Sequence, residues 1–333
     1  MSSQRPYHHT ADGRFRNPPG SPSRTTRLHN MARFLWRQAR NNGVVRQLPD
    51  GHVLPTDQAL AGLAALNGRD GVTWLGHAAF LIRIAGKTVL TDPYLSPVAG
   101  PGRFGPRRYV PPGIPVDRLP PVDVLVVSHN HYDHLDEVTL KALPGKDRIE
   151  VVVPLRLGDF FRRRGFTRVH ELDWYDDIAF DAVTVTALPA VHFSRRGAFD
   201  LNRTLWAAFA IASADSRLFF GGDTAYGEVF REIGARIGPF DLGIIGIGAY
   251  LPREIMRASH ATPEEAVQIA RDLRAHAVLG MHWGTVVLTE EAPFEPPERL
   301  RRAAAAAGLG DDQVWLLAIG ETRPLPAGWP SNR

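Results

Sequence analysis

The most informative stretch of the chain is HNHYDH at residues 129–134, which follows the apolar segment Val122–Val127 after a single serine. The apolar segment predicts a buried strand, so the polar run begins where that strand ends. The run places three imidazoles and one carboxylate within six residues. Burying several ionisable side chains without partners is costly, so a purely structural role explains this pattern poorly. The run therefore predicts a metal site at the end of a strand.

The residue types and their spacing indicate two metal ions. Alternate residues of an extended segment project to the same side, so His129 and His131 can bind one ion. Asp133 and His134 follow and can reach a second ion. The chain has 13 histidines and no cysteine, so imidazole and carboxylate groups must supply the ligands. This donor set suits zinc, with iron or manganese as alternatives.

Three more ligand candidates each follow a predicted strand: His192, Asp223 and His282. A single histidine after a strand is usually an ordinary polar residue, so the prediction depends on all three occurring together. Asp223 belongs to the sequence GGDT, in which two glycines permit a close approach of the backbone to other groups. We therefore predict a two-metal site formed where several strands end.

The rest of the chain has the pattern of an α/β protein. Short β-type segments, some joined as hairpins, alternate with helical segments over residues 72–319, which favours two packed sheets with helices outside. Ala85-Gly86-Lys87 predicts one of the hairpin turns. Hydrophobic residues make up 44% and charged residues 22% of the 333 residues. This composition excludes the disordered, collagenous and membrane-spanning classes.

The first 50 residues differ from the rest in charge. They carry nine arginines against Asp12 and Asp50, a net charge of +7, which leaves −3 for the other residues because the whole chain is +4. Arg27–Arg40 has the spacing of an amphipathic helix. Such a helix lies either on a membrane surface or against its own domain, and we favour the second interpretation. The net negative charge of the residues after position 50 does not favour nucleic-acid binding.

The sequence shows no segment that resembles a signal peptide or a membrane-spanning run of about 20 apolar residues. We therefore expect a cytoplasmic protein. If it binds a membrane, we expect peripheral contact through the Arg-rich helix. The sequence does not determine an oligomeric state.

Several motifs together resemble a known family. HNHYDH, GGDT at 221–224 and GMHWG at 280–284 are similar to motifs of the metallo-β-lactamase superfamily. More narrowly, the chain resembles the N-acylphosphatidylethanolamine phospholipase D branch. The segments that carry this narrower resemblance include TWLGHA (73–78), LTDPYLS (90–96), ELDWYDD (171–177), FFGGDTAY (219–226) and HATPEEAV (260–267), with GRFRNP (13–18) nearer the start.

The resemblance implies a four-layer αββα sandwich at residues 71–333, preceded by an Arg-rich arm and helix at residues 1–70. It implies two sets of zinc ligands: His129, His131 and His192 for one ion, Asp133, His134 and His282 for the other, and Asp223 as the bridge. A bridging hydroxide would attack a phosphodiester. The implied substrate is an N-acylphosphatidylethanolamine, which would yield phosphatidic acid and an N-acylethanolamine.

The resemblance also implies catalytic roles beside the metals. Asp133 and Asp223 would orient the hydroxide and take its proton. His260 would bind phosphate or protonate the leaving group, the alternative being an ordinary residue in the capping region of the next helix. The dipole of that helix, which is predicted to begin near Thr262, would favour an anion.

Other polar residues near these motifs have supporting roles. His77 is expected to orient a loop or an outer carboxylate such as Asp92, and Asn130 to brace its own loop. Four arginines lie on loops where each either contacts a phosphate or is simply solvated: Arg107, Arg108, Arg195 and Arg196.

Two alternatives to a lipid phosphodiesterase remain at this point. The first is another hydrolase of the same fold, such as a lactonase or a nuclease-type phosphodiesterase. The second is a non-catalytic protein that binds a membrane or a partner through its Arg-rich helix. The large ligand set argues against the second, because a structural zinc site is normally closed by four ligands.

Overall fold

The structure, a computed structural model, describes residues 6–23 and 47–326 together with residues 30, 33, 34, 36, 37 and 45. Its strands in chain order are β1 Gly71–Gly76, β2 Ala79–Ile84, β3 Lys87–Thr91, β4 Val124–Val126, β5 Glu150–Pro154, β6 Arg168–Leu172, β7 Asp177–Phe180, β8 Val183–Leu188, β9 Ala208–Ala212, β10 Arg217–Phe220, β11 Phe240–Gly246, β12 Ala275–Met281, β13 Val314–Trp315 and β14 Thr322–Pro324. Its α-helices are α1 Thr56–Ala64, α2 Glu137–Ala142, α3 Gly158–Arg162, α4 Val229–Arg236, α5 Arg253–Met256, α6 Pro263–Asp272 and α7 Glu295–Ala306.

The strands form two seven-stranded sheets with related patterns. The first has the order β14-β1-β2-β3-β4-β5-β6, and the second has the order β13-β12-β11-β10-β9-β8-β7. In the first sheet, strands from β14 to β3 pair antiparallel and strands from β3 to β6 pair parallel. The second sheet is antiparallel from β7 to β10 and parallel from β10 to β13. The predicted sandwich of two sheets with helices is confirmed.

Strand β4 shows why its sequence is continuously apolar. Val124 and Val126 belong to the core between the two sheets. Leu125 and Val127 belong to a second core, which the outer helices cover. A strand that is buried on both faces needs apolar side chains at every position. This double burial fixes the loop that follows β4.

The predicted hairpin turn is present between β2 and β3. Ile84 pairs with Lys87, so Ala85 and Gly86 form a two-residue turn with φ values of 45° and 77°. Positive φ at both positions is the requirement of the hairpin turn whose twist matches the strands.

The edge strands β6, β7 and β14 were not predicted, because each is partly exposed at the end of its sheet and lacks a continuous apolar run. The apolar pattern at 314–319 predicts one strand, but that strand ends at Trp315, and Ile319 forms an isolated bridge with Val53 instead. The helical pattern near the end of the chain predicts a start at Glu298, whereas helix α7 begins three residues earlier, at Glu295.

The Arg-rich helix predicted at Arg27–Arg40 lies largely outside the described residues. The described positions 30, 33, 34, 36 and 37 are helical. Arg37 forms a 3.0 Å ion pair with Glu290, and Phe34 lines a cavity of the body. These contacts favour docking against the body. Among the described residues, the helices are all too short or too polar to cross a membrane.

Candidate metal centre

The loops that follow four strands meet at one place between the two sheets. The loop after β4 belongs to the first sheet, and the loops after β8, β10 and β12 belong to the second. Each loop begins where a buried strand ends, so the surrounding cores fix its starting point. All the ligands predicted from the sequence lie on these four loops.

Four of the predicted ligands form a first group, whose donor atoms lie within 4.8 Å of one another: His129, His131, His192 and Asp223. The Nδ1 atom of His131 lies 2.7 Å from Nε2 of His129 and 3.2 Å from Nε2 of His192. Asp223 Oδ2 lies 3.7 Å from Nε2 of His129 and 3.6 Å from Nε2 of His192. The first predicted ligand set therefore converges on one point.

A second group within the same limit consists of His77, Asp133, His134 and His282. Asp133 Oδ2 lies 3.5 Å from Nε2 of His134 and 3.5 Å from Nε2 of His282. Asp223 also reaches this group, because its Oδ2 is 3.1 Å from Nε2 of His134 and its Oδ1 is 3.1 Å from Nε2 of His282. Asp223 thus lies between the groups, where a bridging ligand would stand.

His77 has a different partner from the one suggested by the sequence. Its Nε2 bonds Asp133 Oδ2 at 3.0 Å, so it contacts a predicted ligand directly and does not orient Asp92. Its own donor position places it within the second group. No local pattern indicates this contact, because His77 follows β1, far along the chain from the histidine-rich loop.

Outer hydrogen bonds hold the ligand rings in place. Asp92 Oδ2 accepts from Nδ1 of His134 at 2.6 Å, and the same carboxylate accepts from the backbone N–H and the hydroxyl of Ser128. His192 Nδ1 donates to the Ser259 carbonyl at 2.8 Å. A ring whose Nδ1 is bonded in this way presents Nε2 to the centre. Ser128 and Ser259 carry no motif that would have identified them in the sequence.

Burial and charge set the protonation of the cluster. Burial lowers the pKa of His129 and His192 well below the usual value, and neighbouring imidazoles add to this. Burial alone would also lower the pKa of His282, but the Asp223 and Asp133 carboxylates raise it to about 9. Burial alone would raise the pKa of both aspartates, yet His134 and its neighbours hold it well below the usual value. The carboxylates are therefore ionised.

The donor atoms present fit a metal centre. His134 Nε2, Asp223 Oδ1 and His282 Nε2 are buried and make no hydrogen bond with any described residue. Buried polar atoms are normally paired, so such a concentration at one point needs a ligand. A divalent cation satisfies all of these atoms together, because it accepts lone pairs from neutral imidazole and carboxylate alike.

The backbone near the ligands approaches closely and is locally strained. A Cβ atom on Gly222 would lie 2.5 Å from Cβ of Ser128, so only glycine allows the loop of Asp223 to pack there. This agrees with the close approach predicted for GGDT. His77 and His282 adopt φ values of 56° and 63°, which are uncommon for residues with side chains. Such conformations persist where the surrounding structure imposes them.

His260 faces the same centre without belonging to either main group. Its donor atom lies within 4.8 Å of those of Asp223 and His282. Burial lowers its pKa to about 4. The cap of helix α6 is Thr262, whose hydroxyl accepts from the Glu265 N–H while Glu265 bonds back to the Thr262 N–H.

This cap corrects two expectations about the start of helix α6. Capping does not involve the His260 side chain, so that alternative role is not supported. Glu264 and Glu265 place negative charge in the first turn, so the helix dipole is already offset there. The predicted anion site at this helix start is therefore not supported.

Two of the four arginines brace loops. Arg108 donates to the carbonyls of Tyr94, Leu75 and Val110. Arg196 donates to the carbonyls of Asn130 and Leu135, and its guanidinium lies 3.8 Å from the centre of the Tyr132 ring. The side chain of Asn130 accepts from the Arg195 N–H at 2.9 Å, as a loop-bracing residue should. The metal-binding loop is thus held from both sides.

A cavity of about 280 Å³ opens onto the centre. Its lining includes the metal-binding groups His131, Asp133 and Asp223 together with His260. The lining also includes the apolar side chains of Phe34, Phe193, Ala249, Ile255, Met256 and Leu288. A molecule that enters this cavity meets metal-binding groups and hydrophobic walls at once.

The chain matches a known protein family. Residues 87–283 match the family described as "Beta-lactamase superfamily domain", and this range contains every ligand predicted from the sequence. The chain belongs to the metallo-β-lactamase superfamily. The metallo-β-lactamase sandwich expected from the motifs is confirmed, and the protein is a metal-dependent hydrolase of this superfamily.

Relatives within the superfamily lie in the predicted branch. A Caenorhabditis elegans protein described as "N-acyl-phosphatidylethanolamine-hydrolyzing phospholipase D 1" is 39% identical over 75% of this chain and 74% of its own length. A Saccharomyces cerevisiae protein described as mitochondrial N-acyl-phosphatidylethanolamine-hydrolyzing phospholipase D is 34% identical over 75% of this chain and 55% of its own length. The recognition of this branch from the sequence is confirmed.

A solved structure shows the same superfamily fold. The possible metal-dependent hydrolase from Veillonella parvula superposes with a TM-score of 0.62 at 20% identity. It covers 77% of this chain and 100% of that protein.

Proposed function

We propose that this metallo-β-lactamase superfamily member cleaves the phosphodiester of an N-acylphosphatidylethanolamine-like phospholipid on the head-group side. The observation that carries the proposal is a cavity whose lining combines metal-binding groups with apolar side chains. A phospholipid presents an anionic diester next to acyl chains, which matches both kinds of lining residue. The names of the nematode and yeast relatives support the same substrate class.

The donor set supports two zinc ions per chain, with iron or manganese as alternatives. When bound, such ions would polarise the phosphoryl oxygens and lower the pKa of water, so that a water nucleophile would be available at neutral pH. Asp133 and Asp223 line the cavity, so their carboxylates would orient the attacking water and take up the proton that it loses. His260, on the same wall, contacts the phosphate or the leaving oxygen.

The reaction has a decisive test with three substrates: N-acylphosphatidylethanolamine vesicles, bis(p-nitrophenyl) phosphate and a simple lactone. We expect the metal-loaded enzyme to prefer the lipid and to release phosphatidic acid and an N-acylethanolamine. In ¹⁸O-labelled water the label should enter phosphatidic acid, because water attacks phosphorus. Turnover of the lactone alone would overturn the substrate class while leaving the metal centre intact.

A variant of the apolar wall separates lipid recognition from metal chemistry. Leu288→Gln keeps the size of a side chain that lines the cavity but makes it polar. Burying an unpaired amide costs about 1–3 kcal/mol, so we expect kcat/KM for the lipid to fall about tenfold. Activity on bis(p-nitrophenyl) phosphate should stay close to that of the unmodified enzyme. An equal loss on both substrates would argue against an acyl-binding wall.

We further propose that the protein contacts a membrane surface peripherally, in the cytoplasm, to reach this lipid. Among the described residues, the three most exposed aromatic side chains are Trp36 at 58%, Phe104 at 80% and Phe199 at 92%. Arginines lie within a few residues of each of them, a combination that suits an anionic lipid interface.

The interfacial role is tested by replacing Trp36, Phe104 and Phe199 together with serine. Sedimentation with anionic vesicles should weaken, while turnover of the soluble diester stays the same. Unchanged sedimentation of the triple variant would remove the proposed contact.

A further inference from the structure

The segment of residues 6–18, here called the arm, is a fixed part of the body. It reverses direction through a turn in which the Gly13 N–H donates to the Thr10 carbonyl at 3.2 Å. Phe15, which is 2% exposed, joins the core between the sheets. The Phe15 N–H donates to the Asn202 carbonyl at 2.9 Å. The arm is therefore held by both apolar and backbone contacts.

The beginning of the arm is anchored by two histidines. Nε2 of His8 lies 2.6 Å from one oxygen of Asp173, and Nε2 of His9 lies 2.7 Å from the other. The His8 ring also stacks on Trp174 with ring centres 4.2 Å apart. Because each imidazole bonds its own oxygen, one carboxylate holds both arm residues, an arrangement that we call the clasp.

The end of the arm reaches the metal centre. Oδ1 of Asn17 accepts from the backbone N–H of His192 at 3.0 Å and from Nε1 of Trp206 at 3.1 Å. His192 stands four residues beyond the end of β8, so strand pairing does not fix its N–H. The imidazole ring of His192 is held separately, because its Nδ1 donates to the Ser259 carbonyl. Asn17 and Ser259 thus hold the backbone and the ring of one predicted ligand.

We propose that Asn17 is a positioning residue for the metal ligand His192, and that the arm thereby completes the first ligand group. A hydrogen bond to the His192 N–H fixes the direction from which its side chain enters the centre. The amide oxygen has two lone pairs, enough for both donors, and it adds no charge beside the cations. Outer partners of metal ligands typically change metal affinity 10–100-fold when they are lost.

The two groups of the centre should respond differently. His192 does not belong to the second group. A ligand of the second group, His134, has its own outer partner in Asp92. Loss of the Asn17 acceptor should therefore weaken one ion and leave the other unchanged. This inference needs the metal centre but not the lipid substrate, so it stands even if the substrate is different.

The test is a titration of metal-free full-length protein with Co²⁺, followed by visible spectra and by competition with a chelator. Asn17→Leu keeps the size of the side chain but removes the acceptor. We expect one of two bound ions to weaken 10–100-fold with an altered ligand-field spectrum, while the second binds normally. Asn17→Asp retains an acceptor oxygen and should retain both ions and the original spectrum.

Arg14→Leu is the matched control on the arm, because the Arg14 side chain pairs with the exposed Asp12 and not with a ligand of the metal centre. It should bind both ions like the unmodified protein. If Asn17→Leu does not fold, Asn17→Ser, whose hydroxyl is too short to reach His192, carries the same expectation.

Three results would overturn the role of Asn17. They are unchanged affinity and spectrum in Asn17→Leu, an equal loss in Asn17→Asp, and an equal loss in Arg14→Leu. An unmodified protein that binds neither ion would instead overturn the metal centre itself.

Discussion

The two sheets contribute to the metal centre in different ways. The first sheet supplies His129, His131, Asp133 and His134 from one loop of six residues after β4. The second supplies His192, Asp223 and His282 from three loops, spread over residues 192–282. The compact loop after β4 is braced by Asp92, which bonds Ser128 and His134, and by Arg196 from the loop after β8.

The ligands of the second sheet depend on hydrogen bonds from distant parts of the chain. His192 is held by the arm and by the loop before α6. Val191 donates to Thr224, which ties the loop of His192 to the loop of Asp223. The comparison teaches that the first sheet supplies its ligands from one short segment, whereas the second sheet brings together ligands that are far apart in the chain.

The largest effect is expected at Asp223, the residue that joins the two sides. Asp223→Ala removes the carboxylate that lies 3.1 Å from both His134 and His282 and also faces the first group. We expect both ions to be lost and turnover to fall by far more than the ~10²-fold that an outer partner costs. Elemental analysis of the purified variant checks this.

Asp215→Ala is its control, because Asp215 is an exposed carboxylate just before β10. It should leave metal content and turnover unchanged. Full metal content in Asp223→Ala would show that the two sides are not joined through this residue.

A pair of variants tests whether the two sides bind separate ions. Asp133→Asn removes a charge from the second group, and His192→Ala removes a ligand from the first. Each should abolish turnover and reduce the metal content by one ion, because the other group remains complete. Inductively coupled plasma analysis gives the metal content per chain. Loss of both ions in either variant would mean that the groups act as a single unit.

His260 should affect the rate without affecting the metals. His260→Ala removes a side chain on the cavity wall that belongs to neither main ligand group. Acid–base or phosphate-binding groups typically contribute 10²–10⁴-fold, so kcat should fall within that range. His260→Gln, which keeps a donor, should recover part of the rate if phosphate binding is its role. A variant that loses metal would instead make His260 a ligand.

The smallest effect is expected at the clasp. Burial alone would raise the pKa of Asp173, but hydrogen bonds from His8 and His9 and the backbone hold it below the usual value. A carboxylate with a lowered pKa stabilises the folded state above its unfolded pKa, and the stabilisation is lost as pH falls through its folded pKa. Asp173→Asn should therefore lower the melting temperature slightly at neutral pH and flatten its decline in acid. Melting curves from pH 7 down to pH 3 measure both, and identical curves would show that the clasp adds no stability.

The sequence alone identified the compact side of the centre. HNHYDH concentrates its donors after an apolar strand, and such a local pattern survives without knowledge of the fold. The motifs also determined the superfamily and its branch. Strands that are buried on both faces were also predicted, because their continuously apolar residues form a local pattern. The edge strands β6 and β7 lack that pattern and were missed.

Only the tertiary structure decided which distant residues complete the site. In the folded protein His77 hydrogen-bonds to Asp133, and Asp92 hydrogen-bonds to His134. Asn17 accepts a hydrogen bond from His192, which lies 175 positions away in the chain. Two of the candidate phosphate-binding arginines, Arg108 and Arg196, instead donate hydrogen bonds to loop carbonyls. These outcomes follow from packing between two sheets and a docked arm, and contacts of that kind leave no periodic trace along the sequence.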